Sequence, residues 1–390
     1  MSERQRHLEY VARKRHEAAD ALADEARKGQ GAWSSERMEA LAKELARWQA
    51  ASWGYADEAL GEAARPLCAP ENGEGVDWIA APPQPVPALL RSMRREDSPP
   101  LVPASKVGLL VARGGTGKTQ ALTQLALSVA TGLPWFGEYG VSRPGPVLLI
   151  LGEEDAEETR RRIQRSARAF GPVLVDSREA LEAAGRNVWT FPRYGLPSRL
   201  TNDDDQPSPF FDNLAAFLDG AGFDWSCIIL DPGSRFMGPE AEKDNAAATR
   251  FVEALEALTE TRGRPAVIVA HHTSKQAGSA DKTDQGAARG SSALVDGARF
   301  VLSLHEDPAL NAEGREQKGL PVDVRYPRLS LTKANYGPSI MPLRLALSGD
   351  GIRPAREEER EMCGDNAGPG APGGQRKQAE PEKDDPFKGV

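Results

Sequence analysis

The sequence predicts an α/β protein with a mostly parallel central sheet flanked by helices, a small helical region before it and a disordered tail after it. Three observations carry this expectation. From about residue 101 to 350, short apolar runs alternate with helical segments: VGLLVA, PVLLILG, NVWTF, CIILD, AVIVAHH, ARFVLSL and RLSLTKA. Several are apolar on both faces, as strands covered by helices on both sides must be. The first of them passes through a glycine-rich turn directly into a helical pattern, VGLLVARGGTGKTQALTQLALSVA. The composition also shifts sharply at both ends of this region.

Residues 1–68 are rich in Ala, Glu, Arg and Lys, with sparse apolar positions such as Leu8, Val11, Leu22, Met38, Leu41, Leu45 and Trp48. That spacing predicts two or three solvent-facing amphipathic helices, the clearest being ERMEALAKELARW, with Ser35 as a candidate N-cap. They form either a charged hairpin packed on the core or a docking or oligomer-collar element. Residues 69–100 contain APPQPVP and DSPP and are expected to be an extended, proline-rich linker. Residues 101–350 form the main domain. Its last runs, ARFVLSL and RLSLTKA with MPLRLAL, leave no room for intervening helices and are expected to be antiparallel. Residues 351–390 turn to GDNAGPGAPGGQRKQAEPEKDD, which holds too few apolar groups to offset the entropy of ordering. Deletion of 364–390 is therefore expected to leave stability unchanged.

The whole-chain numbers exclude some classes. A net charge of -8 over 390 residues argues against a surface coated in basic groups for nonspecific nucleic-acid binding, although a local basic channel stays open. Cys68, Cys227 and Cys363 lack C-x-x-C or metal-ligand spacing, so neither a disulfide framework nor a zinc site is expected. No apolar run reaches the roughly 18 residues of a membrane helix, and MSERQRHLEY has no apolar stretch of a signal peptide. A cytoplasmic location with no membrane partner is the expectation.

The chemistry-bearing residues fall at the carboxyl ends of the predicted strands. GGTGKT, between a strand and a helix, is a P-loop: Gly114, Gly115, Thr116 and Gly117 let backbone N–H groups close around phosphate oxygens at a helix N-terminus. Lys118 would neutralise the β and γ phosphates of ATP, Thr119 would ligate Mg2+ through its hydroxyl, and Gln120 completes the binding stretch. Ala112 stands where the pattern has its first glycine, which is tolerable if that position needs no positive φ. Asp231, closing the apolar run CIILD, reads as the acid that holds magnesium through a bound water. Glu153, Glu154 and Asp155 close PVLLILG, on a strand expected beside that of the P-loop. Glu154 is the candidate for the carboxylate that orients or deprotonates the attacking water, against the alternative that all three acids cap the next helix. His271 and His272 end AVIVAHH, where a polar group can sense the γ-phosphate and relay its presence to the following loop.

These residues resemble the RepA-type hexameric helicases of plasmid replication, within the RecA-like P-loop ATPases and with an AAA-type domain. The resemblance covers about residues 100 to 340 and rests on GGTGKT, LGEED, IILDPGSRF, VIVAHHTSK, QGAARGSSALVDGARF and LTKANYG in that order. It implies a RecA-like core, a ring of six subunits with nucleotide bound between neighbours, and ATP-driven movement along single-stranded DNA. By position it makes Glu154 the catalytic base, His272 the γ-phosphate sensor with His271 as rival, and Arg289 the finger that reaches a neighbour's nucleotide. Lys333 would be a second cation across the interface, but Asn335 stands where related helicases place an arginine, which leaves Arg289 as the main candidate. The loops FMGPEAEKDNAAATR and SKQAGSADKTDQGAARGSS are the expected DNA-facing segments, although they lack base-stacking aromatics. The N-terminal helices, and a tail whose EKDDPFKGV resembles the acidic Pro-Phe tips of single-stranded DNA-binding proteins, are candidate contacts for replication proteins. A RecA-like ATPase of recombination or partner loading, and a nucleotide-gated scaffold, are the competing functions.

Overall fold

A computed structural model describes residues 85–94, 98–204, 206–238, 240–241, 244–272, 292–338 and 340–365, with a few helical positions between 13 and 44. The apolar runs become a nine-stranded sheet in the order β12-β11-β10-β9-β3-β8-β7-β5-β6. Its parallel part comprises β3 (Val107–Ala112), β5 (Val147–Leu151), β6 (Val188–Pro192), β7 (Cys227–Asp231), β8 (Ala266–His272) and β9 (Phe300–His305). β10 (Arg328–Ala334), β11 (Leu343–Ser348) and β12 (Gly351–Pro354) extend one edge antiparallel.

The two-residue period of each strand splits the core between the sheet's two faces. Leu110, Ile229, Ile268 and Leu302 meet Leu122, Leu125 and Val129 of α1 (Lys118–Thr131) on one face. Leu109, Leu148, Ile228 and Val267 meet α5 (Pro209–Gly220), α6 (Asn245–Thr259) and α7 (Ser292–Gly297) on the other. Between these lie α2 (Ala156–Phe170), α3 (Pro172–Val175) and α4 (Arg178–Asn187), which follow β5 and lead to β6. The helix starts carry their own sequence signals. Asp155 caps α2 by accepting from the Glu158 N–H at 2.8 Å, and Ser208 and Asp244 cap α5 and α6 in the same way.

Four expectations change. β1 (Ala88–Ser92) lies in the stretch read as a linker and β2 (Pro100–Pro103) begins at its last residue, and the two pair, with β4 (Tyr139–Val141), into a small antiparallel sheet. Its Leu89, Leu90, Leu101 and Val102 join the core. The prolines mislead because β2 is an edge strand, where Pro100 and Pro103 interrupt no central ladder. β5 is not beside β3, since β8 and β7 stand between them. β9 is parallel to β3, so the antiparallel part begins only at β10. Residues 351–365 are not tail: β12 buries Ile352, and α9 (Glu357–Cys363) closes a small core with Tyr326, Leu310, Leu320 and Cys363. A short α8 (Ala312–Gln317) lies between β9 and β10. In the N-terminal region, Arg13, Lys14, Glu17, Ala18, Asp20, Ala21, Ala40, Lys43 and Glu44 are helical, and the other positions of 1–68 lie outside the described residues. Cys227 and Cys363 are free thiols. Among the described residues no helix is long and apolar enough to cross a membrane.

Candidate active site

β3 ends at Ala112, which is not among the residues with positive φ, so alanine causes no strain there. The turn that follows needs glycine, because Gly115 and Gly117 have φ of 79° and 98°, a region that side chains disfavour. Gly117 caps α1, and no acid stands in that helix's first turn. The exposed N–H groups and the helix dipole therefore favour an anion at this end. Lys118 folds back over the turn, with Nζ donating to the Ala112 carbonyl at 3.0 Å and the Arg113 carbonyl at 3.2 Å. Burial lowers its pKa, opposed by Asp231 and Glu153. A buried ammonium on carbonyls beside two carboxylates is well prepared to meet phosphate charge. Gln120 takes another direction: its amide donates to Ser166 at 2.7 Å and ties α1 to α2.

Asp231 closes β7, nearly fully buried, with the Thr119 hydroxyl close enough to hydrogen-bond its carboxylate. Burial raises its pKa, opposed first by that hydrogen bond and then by Lys118. Its Oδ2 has no hydrogen-bond partner. A buried carboxylate oxygen left unmatched beside a hydroxyl suits a hard divalent cation that completes its shell with water and phosphate. Thr119 and Asp231 therefore fit Mg2+, which they would hold against the nucleotide. When bound, the ion would neutralise developing phosphate charge.

Glu154 comes within range of this pair because β5 lies beside β7, with Leu151 opposite Asp231 and the Gly152 N–H donating to the Asp231 carbonyl at 2.8 Å. α1 crosses from β3 over β7 to β5, so the acids at the end of β5 share the site although their strand is not the neighbour of β3. Glu154 is only 8% exposed, and its Oε1 lies 2.9 Å from Arg162 Nη2. Burial raises its carboxyl above the ordinary value, opposed by Arg162 and reinforced by Asp231 and Glu153. Glu153 is exposed and meets Arg235 at 3.4 Å, and Asp155 is the cap of α2. The three acids thus divide into a cap, an exposed carboxylate that pairs with Arg235 yet still acts on Lys118, and one buried carboxylate held by Arg162. Arg162 escaped the sequence reading. Its signal was weak, since it lies in the run TRRRI, two helical turns beyond Glu154, among arginines that face solvent.

The histidine pair separates by strand parity. His272 shares its face of β8 with Ala270 and Ile268, the α1 side, and its Nδ1 lies 3.2 Å from Lys118 Nζ. His271 shares the opposite face with Val269 and Val267 and is buried there. Lys333 lies at the other end of the sheet. It pairs with Val301 near the start of β9, and its Nζ donates to the carbonyls of Val295 and Asp296 at 2.9 and 2.7 Å. The structure thus brings Lys118, Thr119, Glu154, Asp231 and His272 together and keeps Lys333 away from its own chain's P-loop. Arg289 lies outside the described residues.

A parallel sheet with a phosphate-binding turn after its central strand, and acids closing two neighbouring strands, defines a nucleotide-hydrolysing P-loop ATPase with a RecA-like core. Residues 63–278, more than half of the chain, match the family described as the AAA domain, and the chain belongs to that family. The match begins ahead of the first described strand, so it takes in the stretch read as a linker.

Proposed function

We propose that this ATPase is a DNA translocase of the RepA type, which hydrolyses ATP to draw single-stranded DNA through a homohexameric ring during replication of a plasmid, phage or mobile element. In this reading Glu154 is the base, Thr119 and Asp231 hold Mg2+, His272 senses the γ-phosphate, and Arg289 serves the neighbour's nucleotide. The observation that carries it is the contact of His272 with Lys118 Nζ. It joins the group that would meet the γ-phosphate to the residue from which the segment SKQAGSADKTDQGAARGSS departs. A change at the phosphate then has a direct covalent route into that segment. Lys333 lies at the opposite end of the sheet with its Nζ on the carbonyls of Val295 and Asp296, so it takes no part in its own chain's site.

The test is the ATPase rate with and without single-stranded DNA, followed by strand displacement on a forked duplex. Stimulation of severalfold with displacement is expected. Stimulation without displacement would favour recombination or partner loading, and neither would favour a nucleotide-gated scaffold.

The interface reading has its own test. Arg289→Ala should abolish hydrolysis while leaving nucleotide binding nearly intact, because a guanidinium acting from the neighbour stabilises charge that develops only in the transition state. Inactive Arg289→Ala and inactive Lys118→Ala proteins, mixed before assembly, should regain partial activity where an intact P-loop faces an intact Arg289. No recovery in demonstrated mixed rings would place Arg289 outside the neighbour's site.

A further inference from the structure

The phosphate-binding turn has a second charged flank that its motif does not contain. β9 runs parallel to β3 with Leu304 opposite Ala112, so the chain leaving β9 carries Glu306 past the turn on the side away from His272. Arg325 faces it. Its backbone exchanges two hydrogen bonds with Leu347 of β11, at 2.9 and 2.8 Å. Leu347 in turn closes on the turn, since a Cβ built on Gly117 would lie 3.0 Å from its Cδ2. From this fixed mount Arg325 extends until its Nη1 stands 3.7 Å from where a Cβ on Gly115 would be. Arg325 Nη1 also meets Glu306 Oε1 at 3.3 Å, with the side chains 41% and 43% exposed. A pair this exposed holds its guanidinium weakly and can share it with a stronger anion.

We propose that Arg325 is a further phosphate ligand of the bound nucleotide, supplied in cis by the antiparallel extension of the sheet. Lys118 brings a single ammonium from within the turn. Arg325 adds a planar fork from outside it, able to meet two oxygens of a phosphate chain at once, which an ammonium does not match. Among the described residues its side-chain partner is Glu306 through Nη1, which leaves Nε and Nη2 without a partner among them. The same contact would make β10–β12 part of the nucleotide site and so explain physically why Leu347 and Ile352 are packed against Gly117.

The inference rests on the P-loop reading of residues 114–119, and its test keeps the two apart. Full-length protein is titrated with a fluorescent ADP, which is then displaced by ADP and by inorganic tripolyphosphate. Arg325→Ala should weaken both ligands by about tenfold or more, as loss of a hydrogen bond to a charged group does, with an unchanged melting temperature in the absence of ligand. Arg325→Lys should recover part of the affinity. Glu306→Gln, which leaves the guanidinium in place but releases it, should tighten both ligands severalfold at low salt. Wild-type affinities in Arg325→Ala, alongside a clear loss in Lys118→Ala, would overturn the inference and leave the P-loop standing. A loss for ADP without a loss for tripolyphosphate would move the contact to base or ribose and overturn it as well. Unchanged binding in Lys118→Ala would remove the reading on which it rests.

Discussion

Glu154→Gln should retain ATP and lose turnover, with kcat reduced by about 10²- to 10⁴-fold, the usual contribution of a positioned base, and nucleotide affinity nearly unchanged. The amide keeps the size of the buried side chain and an oxygen toward Arg162 Nη2, so the site should not rearrange. What disappears, on the proposed assignment, is the group that accepts a proton from water or fixes its orientation in line with the γ-phosphate. Burial raises the Glu154 carboxyl, and Arg162 opposes that rise. The acidic limb of the pH–rate profile should accordingly lie above the ordinary carboxylate range, because the base works only when ionised. Arg162→Ala removes the opposing charge and should move that limb to higher pH. Glu153→Gln is the control: its carboxylate is exposed and engaged by Arg235, so the chemical step should survive. Phosphate release measured under saturating ATP, with nucleotide binding measured separately, distinguishes these outcomes. Wild-type turnover in Glu154→Gln, with loss in Glu153→Gln, would transfer the role to Glu153.

Asp365→Ala should destabilise the fold by about 3 kcal/mol, the lower part of the range for removing one partner of a buried ion pair. Arg344 has no exposed side-chain surface, and Asp365 grips it from two sides, Nε to Oδ2 at 2.8 Å and Nη2 to Oδ1 at 3.0 Å. Arg328 meets the same carboxylate. Burial, followed by the nearby Arg328, pushes Arg344 down to about 10, so it remains a cation at neutral pH and needs its counterion. Among the described residues, the lost Asp365 would leave the buried charge with the Tyr326 carbonyl, at 2.8 Å, as the remaining acceptor. For a domain of this size each kcal/mol lowers Tm by roughly 2–4 °C, which calorimetry or a thermal melt resolves readily. This result corrects the expectation that residues 364–390 can be deleted at no cost. A chain ending at Cys363 should melt well below wild type, whereas one ending at Asn366 should not. Equal melting temperatures for the two truncations would show that the Arg344 pair contributes nothing.

These two cases show how legibility varied along the chain. The strands VGLLVA, PVLLILG, CIILD and AVIVAHH announced themselves because a strand covered on both faces must be apolar throughout, whatever its neighbours are. The P-loop was equally plain, since glycine is needed wherever the backbone turns left-handed around an anion, and Lys118 and Thr119 follow it in sequence. Strands β1 and β2 were hidden because proline composition reports the loss of a backbone donor and says nothing of whether that position faces a partner. Asp365 was hidden for a related reason: a single acid at the start of a Gly/Pro-rich stretch looks solvated until the buried Arg344, 21 residues earlier, is placed against it.

The sequence by itself determined which segments are buried strands, where the phosphate turn and its helix begin, and that acids close β5 and β7, because each depends on local periodicity, backbone freedom or strand termini. Tertiary structure alone decided the rest. Strand order placed β8 and β7 between β3 and β5, so that Glu154 comes near Asp231 through the adjacency of β5 to β7 and not through adjacency to the P-loop strand. Strand parity put His272 on Lys118 and His271 on the opposite face, and sheet direction sent Lys333 to the far end. Helix α2 returned Arg162 onto Glu154, and the bridge to Leu347 brought Arg325 beside the phosphate turn, where the proposed contact would act. Those outcomes depend on which surfaces pack together, and packing between distant segments leaves no periodic mark in either of them.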